Sequence, residues 1–395
     1  MNKFTLFIGI AYLCFLFFSA CNSAASNQTE DLKKLVEDSV QLEVTDTNHL
    51  QFIENIPVAP IAGSGYSAGY RHGFMLKDQI DDVLEILHTE ILKTGTLEGD
   101  FITSLFVEKS KVLEKFIPTT YKDEMRGIAD ASGATYQEIL LINTYDDIVN
   151  LMGCSSIAMP KMKKNQLFFH ARNLDYPFDL LADKNVIYRY LKQGVISVTF
   201  PGYIGVLSGT NRAGISLSSH TSHSPDNQDG IPSGILYRMI LEKATSIGQV
   251  DSMLRKNQRT IGNNLVISSL HENKVAVFEI TAASVVQLQS AERVVCTNHF
   301  VSDELGYPID PLSGSFLRYD YLSKAFKNES VVLESVVKTM SYCEKNASEQ
   351  WASVSNEGTV QSVIFLPELH LIYVAKGTEA PTTAGGYICY DYGGW

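Results

Sequence analysis

The stretch from Met152 to Asp175 constrains this chain more than any other. It reads Met-Gly-Cys-Ser-Ser-Ile-Ala-Met, then a lysine-rich turn, then Leu-Phe-Phe-His-Ala-Arg-Asn-Leu-Asp. The apolar runs Ser155 to Met159 and Leu167 to His170 flank a polar tip with Lys161, Lys163, Lys164 and Asn165, the pattern of a β-hairpin with a longer loop. Pairing Pro160 with Leu167 and running an antiparallel ladder back sets Cys154 opposite the neighbourhood of Arg172 to Asp175. A cysteine preceded by Gly153, a guanidinium and a carboxylate then share one strand end, surroundings that can make a thiol a nucleophile.

With 395 residues, 45% of them hydrophobic and 19% charged, the chain can bury a large core in one domain or two. Its net charge of -12 argues against an electrostatic nucleic-acid footprint, so no nucleic-acid partner is expected.

The first residues point to export. Lys3 is followed by an uncharged run from Phe4 to Phe18 and then by Ser19-Ala20-Cys21. Residues 1–20 therefore read as a secretory signal, shorter than the ~20 apolar residues of a spanning helix. The small residues ahead of Cys21 resemble a bacterial lipobox, which implies cleavage before Cys21 and a lipid on its thiol. That makes the expected location the cell envelope, anchored to a membrane. Residues 21–62 are expected to be a tether and N-terminal segment, polar from Asn22 to Lys34. Cys154, Cys296, Cys343 and Cys389 remain, and with Cys154 reactive the odd remainder gives no disulfide framework, though an oxidising compartment leaves room for a bridge between two of the three.

Periodicity separates two regions. Ile80, Val83, Leu84, Leu87 and Ile91 predict a helix from Gln79 with a stop near Gly95. Phe106, Leu113 and Phe116 predict a second, ended by Pro118, with others over Tyr121 to Ala131 and Tyr136 to Ile148. After Cys154 the predicted strands are Val195 to Phe200, Tyr203 to Leu207, Ile215 to Ser218, Leu265 to Leu270, Val275 to Ile280, Val285 to Leu288, Val360 to Leu366 and Ile372 to Ala375. Helices return at Ser233 to Ala244, Phe316 to Phe326 and Val331 to Tyr342, and Ser222 to Gly230 reads as an exposed loop. This is an α+β pattern, with helices packed on two stacked antiparallel sheets.

Glycine at position 153 lets the backbone bend so that the Cys154 thiol can approach the Gly153 carbonyl carbon. Attack there gives a thioester, and its hydrolysis leaves Cys154 as a new N-terminus whose amine, of ordinary pKa about 8, can serve as base for its own thiol. Arg172 and Asp175 either support that chemistry or form a structural ion pair. Asn298, in Cys-Thr-Asn-His-Phe, either caps a turn, which the residues alone favour, or offers its amide to an oxyanion. Asn211 reads as a hairpin turn, and Arg318 opens a helix facing either the site or solvent. His220 and His223 have metal-like spacing but no acidic or cysteine partner, so neither a metal nor another cofactor is expected.

Four segments together resemble the cysteine N-terminal nucleophile hydrolases: Gly-Cys-Ser-Ser-Ile-Ala, His-Ala-Arg-Asn-Leu-Asp-Tyr-Pro, Phe-Pro-Gly-Tyr-Ile-Gly-Val-Leu-Ser-Gly and Cys-Thr-Asn-His-Phe. The hairpin looks like that of acid ceramidase and N-acylethanolamine acid amidase. Gly-Ile-Ala-Asp-Ala-Ser-Gly, Thr-Asn-His-Phe and Ser315-Phe-Leu-Arg318 are more similar to the penicillin acyltransferase branch, and the choloylglycine hydrolases are more distant. The resemblance runs from Gly63 to the C-terminus. It implies a four-layer αββα fold over residues 63–395, cut between Gly153 and Cys154 into a mainly helical alpha chain, 63–153, and a catalytic beta chain, 154–395. It makes Cys154 nucleophile and base, Arg172 and Asp175 its partners, Asn298 an oxyanion donor and Arg318 a supporting residue. Cleavage of a linear amide in a small N-acyl compound, or transfer of its acyl group, is the implied activity. Where the acid ceramidase relatives carry Asn-Glu-Arg, this chain has His220-Thr221-Ser222, so a glutamate role is not carried over.

If Cys21 carries a lipid, Cys21→Ala moves the protein from the membrane fraction to the soluble fraction of lysed cells. Unchanged membrane association of that variant argues against the anchor.

Overall fold

The computed structural model describes residues 49–149, 152–163, 166–177, 179–306, 314–326, 331–344 and 351–393. The signal, Cys21 and the Asn22 to Lys34 tether lie outside the described residues. The central hairpin forms from β3 (Gly153–Met159) and β4 (Phe169–Asp175). Its register differs by one residue from the pairing of Pro160 with Leu167: Met159 pairs with Phe169 and Cys154 with Leu174. Pro160 has no N–H to give a ladder, so pairing starts beyond it and the loop is longer.

That register assigns faces, because side chains alternate along a strand. Cys154, Ser156, Arg172 and Leu174 share one face, while Gly153, Ser155, Asn173 and Asp175 share the other. β12 (Val294–Cys296) flanks β3. Beyond β4 come β13 (Thr359–Leu366), β14 (Leu371–Ala375) and β15 (Tyr387–Asp391), which complete an antiparallel six-stranded sheet.

A nine-stranded sheet stacks on it. Its order is β1 (Gln51–Ile53), β2 (Ile56–Ile61), β5 (Val186–Tyr190), β6 (Val195–Thr199), β7 (Ser208–Asn211), β8 (Ile215–Thr221), β9 (Asn263–Ser269), β10 (Lys274–Ile280) and β11 (Val285–Ser290). Ile187, Ile196 and Val198 of one sheet and Val363, Phe365, Ile372 and Val374 of the other join in a single buried cluster. Helices Ser315–Lys324 and Leu333–Met340 cover the six-stranded sheet, and helices Ser233–Lys243 and Ile247–Lys256 cover the nine-stranded one. The layering is αββα, as expected.

Four expectations change. β2 and β5 run parallel, so the larger sheet is mixed and not wholly antiparallel. β1 and β2 fall within residues 21–62, so the sheet begins ahead of Gly63. Tyr203 to Leu207 is not a strand: the Ile204 N–H donates to Asn143 Oδ1 at 2.8 Å and the Val206 N–H to the Gly234 carbonyl at 2.9 Å, leaving no ladder to join. The helix predicted over Tyr136 to Ile148 breaks into Tyr136–Ile142 and Tyr145–Val149, with Asn143 ending the first piece. Asn211 does hold its hairpin, accepting from the Ile215 N–H at 3.0 Å. In the Ser222 to Gly230 loop His223 is exposed but Ser222 and Ser224 are buried.

The helical region before β3 rests on one close crossing. Tyr66–Met75 meets Thr119–Ser132 where a Cβ on Gly69 would lie 1.8 Å from the Glu124 carbonyl oxygen and one on Gly127 2.2 Å from that of Tyr66. The obstacle is backbone, so the helices must move apart to admit a methyl group. Gly69→Ala is expected to destabilise the fold by at least about 1–3 kcal/mol, measured as a fall in melting temperature; an unchanged melt would mean that the helices do not pack this tightly.

Candidate active site

Cys154 is wholly buried on the inter-sheet face of β3, with Sγ 3.2 Å from Nη2 of Arg172. Arg172, two residues along the partner strand's same face, is also fully buried. Its Nη1 donates to Ser208 Oγ and Gln361 Oε1, each at 3.2 Å, and its Nη2 to the Ser219 carbonyl at 3.1 Å. These acceptors are neutral, which leaves the cation's field directed at the sulfur.

Asp175 lies on the opposite face from Arg172, so the two do not form the ion pair that the sequence left open. Its charged neighbour is Arg318, with Nη1 3.6 Å from Oδ2, and Thr359 Oγ1 donates to its Oδ1 at 2.7 Å. Arg318 faces the site and not solvent: Nη1 donates to the Cys154 carbonyl and, at 3.0 Å, to Ser155 Oγ, while Nη2 donates to Asn298 Oδ1 at 3.0 Å.

Asn298 spends its side chain on strand backbone and not on a turn cap. Its Oδ1 accepts the Cys154 N–H at 2.7 Å, and its Nδ2 donates to the Met152 carbonyl at 3.1 Å and the Thr221 carbonyl at 2.9 Å. One side chain thus grips the backbone on both sides of Gly153. Ser315 Oγ accepts the Asn298 N–H at 2.9 Å, tying this loop to the start of the Arg318 helix.

Burial pushes the Cys154 thiol above its ordinary pKa, and the Arg172 guanidinium opposes that shift without reversing it. Burial likewise raises the Asp175 carboxyl, with Arg318 pulling the other way, and burial lowers Arg318, which Asp175 resists. His220 turns between the sheets, its Nε2 2.7 Å from Ser156 Oγ, and burial holds its pKa well below the usual range. Neutral His220 is part of the interior and His223 is exposed, so the spacing that suggested a metal pair joins residues in different settings. Among the described residues no cluster of His, Cys, Asp and Glu is arranged to hold a metal ion.

The structure brings together Gly153, Cys154, Arg172, Asp175, Asn298 and Arg318. It adds Gln361 and Ser208 under Arg172, Thr359 at Asp175 and Ser315 under Asn298. Ser208 and Ser315 stand in segments that carry the family resemblance but had no role read from them, and nothing near Gln361 or Thr359 marks those two; each acts across the fold on a partner distant in sequence.

The family model for acyl-coenzyme A:6-aminopenicillanic acid acyl-transferase matches residues 161–380, more than half of the chain. The chain belongs to this family. Within the acyl-transferase family match lie Arg172, Asp175, Asn298 and Arg318; Cys154 stands just ahead of it. Protein dcd1B of Dictyostelium discoideum is 24% identical over 253 residues, 57% of this chain and 50% of that protein. The chain therefore spans half the length of this curated relative. The N-acylethanolamine-hydrolyzing acid amidase of Mus musculus is 24% identical over 273 residues, 64% of this chain and 68% of that one. A solved Caenorhabditis elegans ortholog of that amidase aligns with TM-score 0.43 and 18% identity, covering 55% of this chain and 93% of its own.

In uncleaved protein, burial and the raised pKa shield Cys154, whereas Cys343 and Cys389 are only partly buried. Iodoacetamide labelling followed by peptide mass mapping is expected to modify Cys343 and Cys389 before Cys154 in the full-length chain. The labelling of Cys154 should keep rising with pH beyond 9, the ordinary thiol value; early labelling of Cys154 at neutral pH would contradict this site geometry.

Proposed function

We propose that the chain is an autoproteolytically matured cysteine amidohydrolase, cleaving a linear, non-peptide amide of a small N-acyl compound through a thioester on Cys154. The observation that carries this reading is the grip of Asn298 on both sides of Gly153 with a thiol below Arg172 on the adjoining residue. In the first step Sγ attacks the Gly153 carbonyl carbon: the C–S bond forms, the Gly153–Cys154 C–N bond breaks, and the thiol proton passes to the departing nitrogen. Water then attacks the thioester, its hydroxyl going to the acyl carbon and its proton restoring the thiol. The products are a Gly153 carboxylate and a free α-amine on Cys154.

The same groups then serve turnover. The amine stays beside Asn298 Oδ1 and takes the thiol proton as general base. Asp175 Oδ2, buried and with no hydrogen-bond partner placed on it among the described residues, gains one in the ammonium. Once Met152 leaves, Asn298 Nδ2 is freed to donate to the oxyanion of a substrate carbonyl. Arg172 stabilises the thiolate, and Arg318 holds Asp175 and Asn298 in register.

The hydrolase relatives support water as the acceptor, while the description of the matching family model favours an acyl acceptor other than water. Offering amines to the thioester and looking for a new amide separates the two. We also propose that the protein is held at the cell envelope by a lipid on Cys21, a reading that rests on residues 1–21 alone. Among the described residues no helix is long and apolar enough to cross a membrane.

The purified protein is expected to be two chains, one ending at Gly153 and the other beginning at Cys154, by intact mass and N-terminal sequencing. Cys154→Ala should remain one chain, and Cys154→Ser should cleave slowly. Arg172→Ala and Asp175→Asn should keep the fold and lower turnover, by about 10²–10³-fold if each stabilises charge in the transition state. A wild-type protein that stays full length with an unreactive Cys154 would favour a ligand-binding envelope protein instead.

A further inference from the structure

Three glycines are cleared of side chain around one residue, Trp351. A Cβ on Gly153 would lie 2.8 Å from its Cε3, one on Gly358 2.7 Å from its Nε1, and one on Gly314 2.2 Å from its carbonyl oxygen. Separations that short do not occur in packed interiors, so Trp351 fills the side-chain space of all three. Each glycine adjoins a residue of the site. Gly153 precedes Cys154, Gly314 starts the helix that carries Arg318, and Gly358 precedes Thr359, which holds Asp175. Trp351 itself has φ 56°, a left-handed conformation that a bulky side chain keeps only when its surroundings impose it.

On the thioester reading, on which this inference rests, Gly153 is the first acyl group the site ever holds. The maturation intermediate is Sγ–C(=O)–CH2–N, and the turnover intermediate is Sγ–C(=O)–R on the same sulfur. The room around the Gly153 α-carbon is then the room offered to the α-carbon of a substrate's acyl group. On the side where an L-residue carries its side chain, that room is closed by Trp351 Cε3 at 2.8 Å and by Asp175 Cβ and Oδ2 at 3.0 and 3.1 Å. We infer that Trp351 is a specificity-determining residue that admits acyl groups with an α-methylene and rejects those branched at the α-carbon in the L sense. Asp175 forms part of the same wall, but Thr359 and Arg318 fix it there, so the indole is the element that substitution can remove.

Two independent readouts test this, the first needing no substrate. Gly153→Ala in the full-length protein should slow formation of the chain beginning at Cys154 by about tenfold or more, the usual effect of an added methyl group in a filled site. Adding Trp351→Ala to it should recover several-fold of that loss, while Trp351→Ala alone still matures. The second readout uses coumarin anilides of hexanoic acid and of the two 2-methylhexanoic acid enantiomers. Wild-type kcat/KM should favour hexanoyl over the enantiomer that superposes on L-alanine by about 10–200-fold, and Trp351→Ala should narrow that ratio. Normal maturation of Gly153→Ala, or equal kcat/KM for both enantiomers in the wild type, overturns the inference while leaving the hydrolase reading intact. If the variants fail to fold by circular dichroism, the wild-type enantiomer ratio decides; if no anilide is cleaved, the maturation rates decide. A wild type that never cuts at Gly153–Cys154 overturns the hydrolase reading, and the inference with it.

Discussion

The β3–β4 register is the constraint on which the rest of the site depends. Because side chains alternate, pairing Cys154 with Leu174 places Arg172 beside the thiol on the inter-sheet face and Asp175 beside Gly153 on the other. A slip of one residue would exchange the two, leaving a carboxylate under the sulfur and the guanidinium among the helices. The interior guards against that slip. Ile157, Phe169 and Ala171 are buried with the Leu333–Met340 helix, and on the other face Ala158 is buried with Val266 and Val277 of the larger sheet. The hydrophobic pattern thus sets the register, and the register places the polar groups.

A cut after Gly153 would divide the chain, and the fold shows what would hold the pieces together. β2, ahead of the cut, pairs with β5, which follows it. Asn143 bonds the Gly202 carbonyl and the Ile204 N–H, His72 Nε2 sits 2.8 Å from the Tyr188 hydroxyl, and the Asp147 carboxylate accepts from the Ser233 N–H and from Thr260 Oγ1. Arg238 stacks 3.3 Å over Tyr190 and lies 3.6 Å from Glu124, whose carboxyl burial raises to about 7 against the pull of Arg238. Arg238 also pairs with Glu242 at 2.7 Å, so the pair with Glu124 adds little net stability, whereas removing Arg238 would leave the buried Glu124 carboxyl without its cation, at a cost of about 3–5 kcal/mol. The two halves therefore cannot slide or exchange partners cheaply.

Features of short sequence range were legible from the residues alone: the hairpin, the amphipathic helix after Gln79 and most strands after Cys154. Tyr203 to Leu207 read as a strand because its local pattern is apolar, but Asn143 and Gly234 claim its backbone, and both are far away in sequence. β2 is not read as a strand because Pro57 and Pro60 interrupt its short apolar run. The site divides in the same way. Cys154, Arg172 and Asp175 lie on one hairpin and could be found together, whereas the action of Asn298 on Cys154 depends on β12 pairing with β3. The contacts of Gln361 and Thr359 follow from β13 pairing with β4, and those of Trp351 from its approach to Gly153, Gly314 and Gly358, long-range placements that carry no local signal.

Burying a thiol beside a cation looks self-defeating until the opposing terms are compared. At 3.2 Å and an effective dielectric of about 20, a guanidinium and a thiolate attract by about 5 kcal/mol, and desolvating an ion costs several kcal/mol. Terms so nearly equal leave the sign to water access, and in the intact chain, where Cys154 is sealed, burial prevails and the thiol stays protonated. That state suits an intact chain, since a stable buried thiolate would be open to side reactions before any substrate had a place to bind. Removing the residues that precede Cys154 would admit water to the sulfur while leaving Arg172 fixed by Ser208, Gln361 and the Ser219 carbonyl. The desolvation penalty falls, the attraction remains, and the balance moves toward the thiolate. On the proposed mechanism, a backbone cut that freed the amine would also activate the sulfur, so one covalent event would supply both the base and the nucleophile.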